Sequence, residues 1–379
     1  MPSSDHVDPR RVVGVEAEIV TNVTSTDFPG HWPNEDHSWG IDKFKNTFRV
    51  EFHRNTPLFA EFDLIHMDAS IANTFRRILL AEVPSLAIET VYVQTNTSII
   101  QDEVLSHRLG LIPLVGDKKA LINMQWFMKP ASGDPPQDPT DDNTIVLHLS
   151  AACERIPGVS RSETDPHKLY TNASVYARDI VFDPAGKQVT TFANNPVRAA
   201  NPNILIAKLR PGQEIDVTMH CVKGIGQDHA KFSPVATASY RLLPLIKILK
   251  PIRGKAAERF AACFPRGVVA FEADEETGEK RAVVGNARND TVSREVLRHE
   301  EFKGCVELGR VRDHFIFQIE STGQFDADEL FLSAVSVLKA KCTVLKRETH
   351  RMLKKQALDA RSGSGNAGPK KGDRGWAAE

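Results

Sequence analysis

A chain of 379 residues, 41% of them hydrophobic and 26% charged, has enough apolar material for one large core or for two domains with cores of their own. No apolar run approaches the length needed to cross a bilayer, and Met1 to His6 lacks the basic-then-apolar order of a secretory signal. The net charge of −1 argues against a chain built as a whole to neutralise phosphates.

Residues 1–43 are punctuated by Pro29, Gly30, Pro33 and Gly40 and are expected to form an irregular arm in which only Val12 to Val20 suits a strand. The arm is acidic, since residues 1–42 carry eight acids and two bases, a net −6. Phe48, Val50 and Phe52 alternate with Arg49, Glu51 and His53, the pattern of a half-buried strand. Past a turn at Asn55-Thr56-Pro57, Leu58 to Met67 reads as a second strand. Asp68 is a suitable N-cap, because its carboxylate can accept from an orphan helix N–H. Ile71, Phe75, Ile78 and Leu79 follow at helical spacing, and Pro84 ends the helix by disfavouring α geometry at Val83.

Ala87 to Gln94 is strand-like again, and Asp102 to Leu109 predicts a short helix closed by Gly110 in the left-handed conformation. Leu111 to Leu114 leaves it extended. Gly133 to Asn143 is a proline-rich loop, after which strands are expected at Thr144–Leu149, Ser174–Phe182, Ile204–Leu209 and Glu214–Cys221. This strand-rich span resembles a module inserted between two halves of another fold. Ala236 to Leu243 supplies a further strand, a stretch broken by Pro251 and Pro265 follows, and Phe315 to Glu320 is a strand once more.

Asp326 caps the longest helix, with Glu329 at its third position as in a capping box. The helix is expected to reach about Leu358, roughly 45–50 Å. Phe331, Val335, Leu338, Cys342, Leu345, Thr349 and Met352 recur at alternating spacings of four and three, a heptad seam with one polar member. Leu330, Ala334, Val337 and Val344 widen the stripe. Such a helix needs two neighbours, its own sheet and something else, and periodicity does not choose between more of the same core and a second chain. Residues 339–379 hold eleven bases and four acids, a net +7; the two charged ends either stay solvated or meet oppositely charged partner surfaces. The Gly/Ser-rich end, Arg361 to Glu379, reads as disordered.

Motifs for chemistry are scarce. The five cysteines (Cys153, Cys221, Cys263, Cys305 and Cys342) form no C-x-x-C pair, which argues against a zinc ribbon or iron–sulfur cluster and suits reduced thiols in a cytosolic or nuclear compartment. Gly363 to Gly368 matches G-x-G-x-x-G but follows no strand and opens no helix. Asp326 and Asp328 read as helix-start charges rather than a magnesium site. His220 and Cys221 point to opposite faces of a strand, so they and His229 make a poor metal set. Asp102 and Glu103 read as capping charges. No catalytic residue, cofactor site or metal site is assigned, which shifts the weight toward a binding or scaffold protein.

The segment Asp68-Ala69-Ser70-Ile71-Ala72-Asn73-Thr74-Phe75-Arg76-Arg77-Ile78-Leu79-Leu80-Ala81-Glu82-Val83-Pro84 resembles the α-subunit motif of cellular RNA polymerases, a capped helix bearing N-x-[LF]-R-R and ending at proline. Ala87 to Val91, Asn96 to Ser98, His107 to Leu114, Lys208 to Gln213 and His229 to Pro234 resemble the eukaryotic and archaeal branch of that family. The likeness covers roughly residues 44–358. It implies an α+β fold: a discontinuous dimerisation domain, 44–84 plus 239–357 with the long C-terminal helix, interrupted by a strand-rich insert domain over 85–238. Residues 1–43 would be the acidic arm and 358–379 the disordered tail. The polymerase II type carries a zinc-binding cysteine cluster in its insert, whereas here Cys153 stands alone between Leu114 and Cys221. The acidic arm and the stretch from Leu243-Pro244 through Arg259-Phe260 to Cys263-Phe264-Pro265 resemble the larger α-like type shared by polymerases I and III.

The resemblance implies a non-catalytic assembly subunit, nuclear and partly nucleolar, with no cofactor and no membrane contact. Its partners would be a smaller α-like subunit in a heterodimer, the second-largest and largest subunits of polymerases I and III, and small zinc-binding polymerase subunits. Such an enzyme makes ribosomal RNA, 5S RNA and tRNA. The partner-binding residues implied are Ile71, Phe75, Arg76, Arg77, Ile78 and Leu79 on the first helix, with Phe331, Val335, Leu338, Cys342 and Leu345 on the last. Arg76 and Arg77 match the family's paired arginines; they are either solvated beside Glu82 or forked onto acidic or carbonyl groups of the second-largest subunit. The alternatives are an α-like subunit of another polymerase class, a nucleic-acid-binding module using the basic C-terminal segment (direct DNA contact is disfavoured because its cations lack interleaved aromatics), or an unrecognised enzyme.

Overall fold

The computed structural model describes residues 7–8, 11–23, 39–127, 138–159, 164–274 and 278–363, with side chains up to Gln356. In chain order, β1 (Val12–Val15), β2 (Val20–Thr21) and α1 (Ile41–Thr47) precede β3 (Arg49–Thr56), β4 (Phe59–Ile65) and α2 (Ala69–Ala81). Then come β5 (Ser85–Asn96), α3 (Asp102–Gly110), β6 (Leu114–Val115), α4 (Lys118–Asn123), β7 (Ile145–Ala152), α5 (Pro166–Leu169), β8 (Ser174–Tyr176) and β9 (Val181–Asp183). The helix α6 (Gln188–Thr191) leads to β10 (Arg198–Ala199), β11 (Leu205–Lys208), β12 (Glu214–Gly224) and β13 (Val235–Ile248). The chain ends through α7 (Gly254–Ala262), β14 (Val269–Ala273), β15 (Lys280–Val284), β16 (Val306–Ser321) and α8 (Ala327–Gly363).

The spine of the larger sheet is β16. On one side β13 pairs along its whole length, antiparallel, from Val235 opposite Ser321 to Ile248 opposite Val306. The other side is shared end to end by β1, with Val12 opposite Val311, and β4, with Phe59 opposite Glu320. Outside these lie β2 and β3. The register jumps between Leu242–Phe315 and Leu243–Val311, a bulge that bends the strand where β1 gives way to β4. Pro244 sits in β13, which among the described residues pairs with β16 alone, an edge position where a missing N–H can face away from the ladder. Val12–Val15 is therefore a strand of the main sheet, with Val13 and Val15 buried, rather than part of a loose arm.

One face of this sheet is aromatic. Phe62 of β4 and Phe317 of β16 stack with centroids 5.5 Å apart, and they join Leu64, Phe315 and Ile319 in a core closed by α2 and the start of α8. The opposite face is polar, because strand periodicity turns Glu61 and Asp63 away from the aromatic layer. Arg288, in a turn 225 residues away, plugs it: Nη1 donates to Asp63 Oδ1 at 2.5 Å and Nη2 to Glu61 Oε1 at 2.6 Å. His314 Nε2 lies 2.8 Å and His53 Nε2 3.1 Å from Asp63 Oδ2. Burial alone would raise the Asp63 carboxyl, but the hydrogen bonds from His314 and Arg288 outweigh it and hold the group at about 2.

A second sheet has the order β5-β12-β7-β9 and its own core, with Leu105 and Leu109 of α3 packed on Ile88, Leu147, Val217 and Met219. The run expected as one strand over Ser174–Phe182 is two, β8 and β9, separated by a tight turn in which Asp179 Oδ2 accepts from the Tyr176 N–H at 2.7 Å. Gly110 ends α3 but is not left-handed, and a Cβ there would meet the backbone oxygen of Ile88 at an ordinary contact distance of 3.5 Å. The proline-broken stretch contains a third cluster, α7 with the β14–β15 hairpin, where Phe260 packs on Phe264 and Phe302. Composition hid it, since Pro251 and Pro265 flank the helix rather than interrupt it. The segment Ile41–Thr47, half inside the expected arm, is helical.

Candidate partner interface

The Asp68 cap forms as expected, its Oδ1 accepting from the Ser70 N–H at 2.8 Å, and α2 runs from Ala69 to Ala81. The expectation that Phe75, Ile78 and Leu79 face another chain does not hold, because all three are buried in the chain's own aromatic core. Ile71 is half-buried at the margin of that core. Arg76 is half-buried, and its Nε and Nη2 fork back onto Asn73 Oδ1 at 3.1 and 2.9 Å, so this guanidinium is held by its own helix. Arg77 is exposed. Glu82 takes Lys341 of α8, at 2.8 Å, rather than either arginine.

The long helix has two different halves. Over its first turns Ala327, Leu330 and Ala334 are completely buried. Phe331 is half-buried, its ring 4.8 Å from Phe62 and 5.1 Å from Phe75 in edge contacts. Val337 and Leu338 pack partly on the same core. From Lys339 to Gln356 every side chain is exposed. About 37 Å of helix therefore continues past the last buried turn, at 1.5 Å per residue over Lys339 to Gly363. On it Leu345 is 69% exposed and Met352 66%, with Cys342, Val344 and Leu353 also open. Val335 is at the boundary, 38% exposed. Of the seam residues inferred above, Phe331 faces inward, Leu338 is shared, and Val335, Cys342 and Leu345 face outward. The helix also outruns its expected end, since residues 359–363 remain helical; of the G-x-G-x-x-G match only Gly363 is among the described residues, and the rest of it and the tail beyond lie outside them.

Two features of this region had no signal in the sequence. The strand β3 is an open edge: Val50 and Phe52, read above as half-buried, are exposed, and the Phe52 ring lies 5.1 Å from that of Phe62. Alternation cannot tell an edge strand from an inner one. At the start of α8, Asp326 and Glu329 share the Lys118 ammonium of α4, at 2.9 and 2.5 Å. Burial would lower that lysine's pKa, but the two carboxylates raise it. Asp328 accepts from Asn55 Nδ2 at 3.2 Å, so both acids of the D-x-D are engaged by side chains of other elements. Cys221 is fully buried while His220 meets Tyr92 edge-on on the other face, the opposition that strand geometry requires.

A helix of this length without tertiary cover is marginal by itself, and stripes of leucine, valine and methionine are stabilised by burial. A packed sheet that sends such a helix outward defines a dimerisation subunit: a body that is complete and an arm that is not. Residues 61–342 match the RNA polymerase Rpb3/Rpb11 dimerisation domain, and the chain belongs to that family, a non-catalytic class of polymerase subunit. It is 53% identical over 337 residues to DNA-directed RNA polymerases I and III subunit RPAC1 of Saccharomyces cerevisiae, covering 88% of this chain and 97% of that protein. The proteins of the same name in Mus musculus and Homo sapiens are each 48% identical over 343 residues, 90% of this chain and 96% of theirs. The likeness first seen at Asp68 to Pro84 is thus borne out for the family.

Proposed function

We propose that this chain is the larger α-like subunit of RNA polymerases I and III, a nuclear assembly subunit that joins a smaller α-like subunit and then the second-largest and largest subunits. The single observation that carries the polymerase class is 53% identity across 97% of a relative whose name specifies polymerases I and III. The single observation that supports the mode of action is the uncovered apolar stripe of α8 beyond Leu338. The stripe is the surface for the smaller subunit, with Val335, Cys342, Leu345 and Met352 as its contacts. The exposed Arg77 is the better placed of the two arginines to reach a large subunit, because Arg76 is tied to Asn73.

The chain divides into a dimerisation unit, built on the β16 sheet with α2 and α8, and an insert built on the β5-β12-β7-β9 sheet. The separate sheets and separate cores support that division. On this reading the return crossing lies near Val235, where β13 begins, a few residues before the 238/239 boundary expected above. Small zinc-binding subunits and nucleolar residence follow from the same reading. The test is affinity purification of the tagged chain from nuclear extract, with identification of co-purifying proteins. The largest subunits of both polymerases I and III are expected. Recovery of only polymerase II large subunits would overturn the assignment.

A further inference from the structure

The exposed part of α8 has a second face. From Lys339 to Gln356 the helix carries seven lysines and arginines and one acid, Glu348. At 100° per residue, Lys354 lies nine residues and half a turn round from Leu345, at the back of the apolar stripe. Arg347 and Arg351 lie on the same back face, and Lys346 and Lys355 stand at its two margins. Among the described residues, Lys346, Arg347, Lys354 and Lys355 have no carboxylate within ion-pair distance, and Arg351 reaches Glu348 only at 3.9 Å. Apart from that Arg351 contact, these cations are unmatched among the described residues, and a partner seated on the stripe would leave them exposed.

We infer that this back face of α8, centred on Arg347, Arg351 and Lys354, docks an acidic polypeptide segment separate from the partner on the stripe. The proposal rests on the reading of α8 as a helix covered by a second subunit. Like charges so close repel one another unless an opposite charge lies over them. The cations rise about one turn at a time, near 5.4 Å, the repeat at which an adjacent helix presents carboxylates at i and i+4. Duplex DNA fits less well. The face holds no phenylalanine, tyrosine or tryptophan for stacking and no asparagine or glutamine for base edges. It is also only about 14 Å long, enough for few phosphates, on a chain whose net charge is −1.

The experiment uses the full chain, alone and co-expressed with the smaller α-like subunit. The probe is a labelled helical peptide of about twenty residues with glutamates one turn apart, with a duplex DNA of similar length as the second arm. The peptide is expected to bind both preparations, and raising salt from about 50 to about 300 mM should weaken binding about tenfold. Arg347→Glu/Lys354→Glu should abolish it, and Arg347→Gln/Lys354→Gln should reduce it, while heterodimer formation is unchanged. Absence of peptide binding, retention by the charge-reversed variant, or preference for the DNA would each overturn the proposal. Failure of the heterodimer itself counts against the function proposed above, and the peptide arm on the chain alone still reads this one.

Discussion

Replacing Leu345 by aspartate separates the stability of the body from the grip of the partner. Leu345 is 69% exposed and packs on nothing in the core, so the change should leave the unfolding of the sheet domains within about 0.5 kcal/mol of the parent. In a heterodimer seated on the stripe, the same change removes roughly 2 kcal/mol of apolar burial. It also places a carboxylate in a dehydrated contact, for a further ~2 kcal/mol. A total near 4 kcal/mol corresponds to roughly a thousandfold weaker association. The assay pairs urea unfolding of the variant chain with titration of the smaller α-like subunit, followed by size-exclusion chromatography. Ala334→Asp is the control: that side chain is fully buried, and it should disrupt the body itself. Leu338 is a poorer probe because it is half-buried and would perturb both quantities. Heterodimer affinity unchanged by Leu345→Asp, or a large loss of body stability, would refute the division of α8 into a docked half and a free half.

The polar plug and the inter-sheet contact give further expectations. Because the Asp63 carboxyl lies near 2 rather than 3.8 when folded, the unfolded chain takes up the proton first. The associated stabilisation, about 2–3 kcal/mol, is present above about pH 4 and disappears as the pH falls toward 2. Asp63→Asn should remove that increment, and the stability gap between parent and variant in urea titrations should close with acid; a constant gap would show that the carboxylate is not so held. Arg288→Ala leaves Asp63 and Glu61 without their guanidinium and is expected to cost about 3–5 kcal/mol, read as a lowered urea midpoint. Gly226 lies against the backbone oxygen of Leu80 at the end of α2, where a Cβ would collide. Gly226→Ala should therefore lower the melting temperature through a loss of about 1–3 kcal/mol, and an unchanged melting curve would rule out the close approach.

Local rules made much of this protein legible in its residues. A short polar cap at Asp68, an apolar period and a proline at position 84 define α2 without reference to any other part of the chain, as do the alternating runs of β4, β7 and β12. The family likeness came from the same contiguous letters. What those letters could not supply was the identity of each neighbour. Phe75, Ile78 and Leu79 have the same periodicity whether a helix covers its own sheet or another chain, and only the position of β4 and β16 put them inside. Alternation in Arg49 to Thr56 is the same at an edge as at the centre, and only the strand order exposed Phe52. The pairing of Arg288 with Asp63, and of Lys118 with Asp326, joins charges more than two hundred positions apart, beyond any sequence period. In α8 the apolar stripe continues unbroken past Leu338, while the sheet beneath it does not. The stripe is a property of the sequence, but its exposure depends on where the tertiary core ends, because burial is a relation between surfaces and a period describes only one of them.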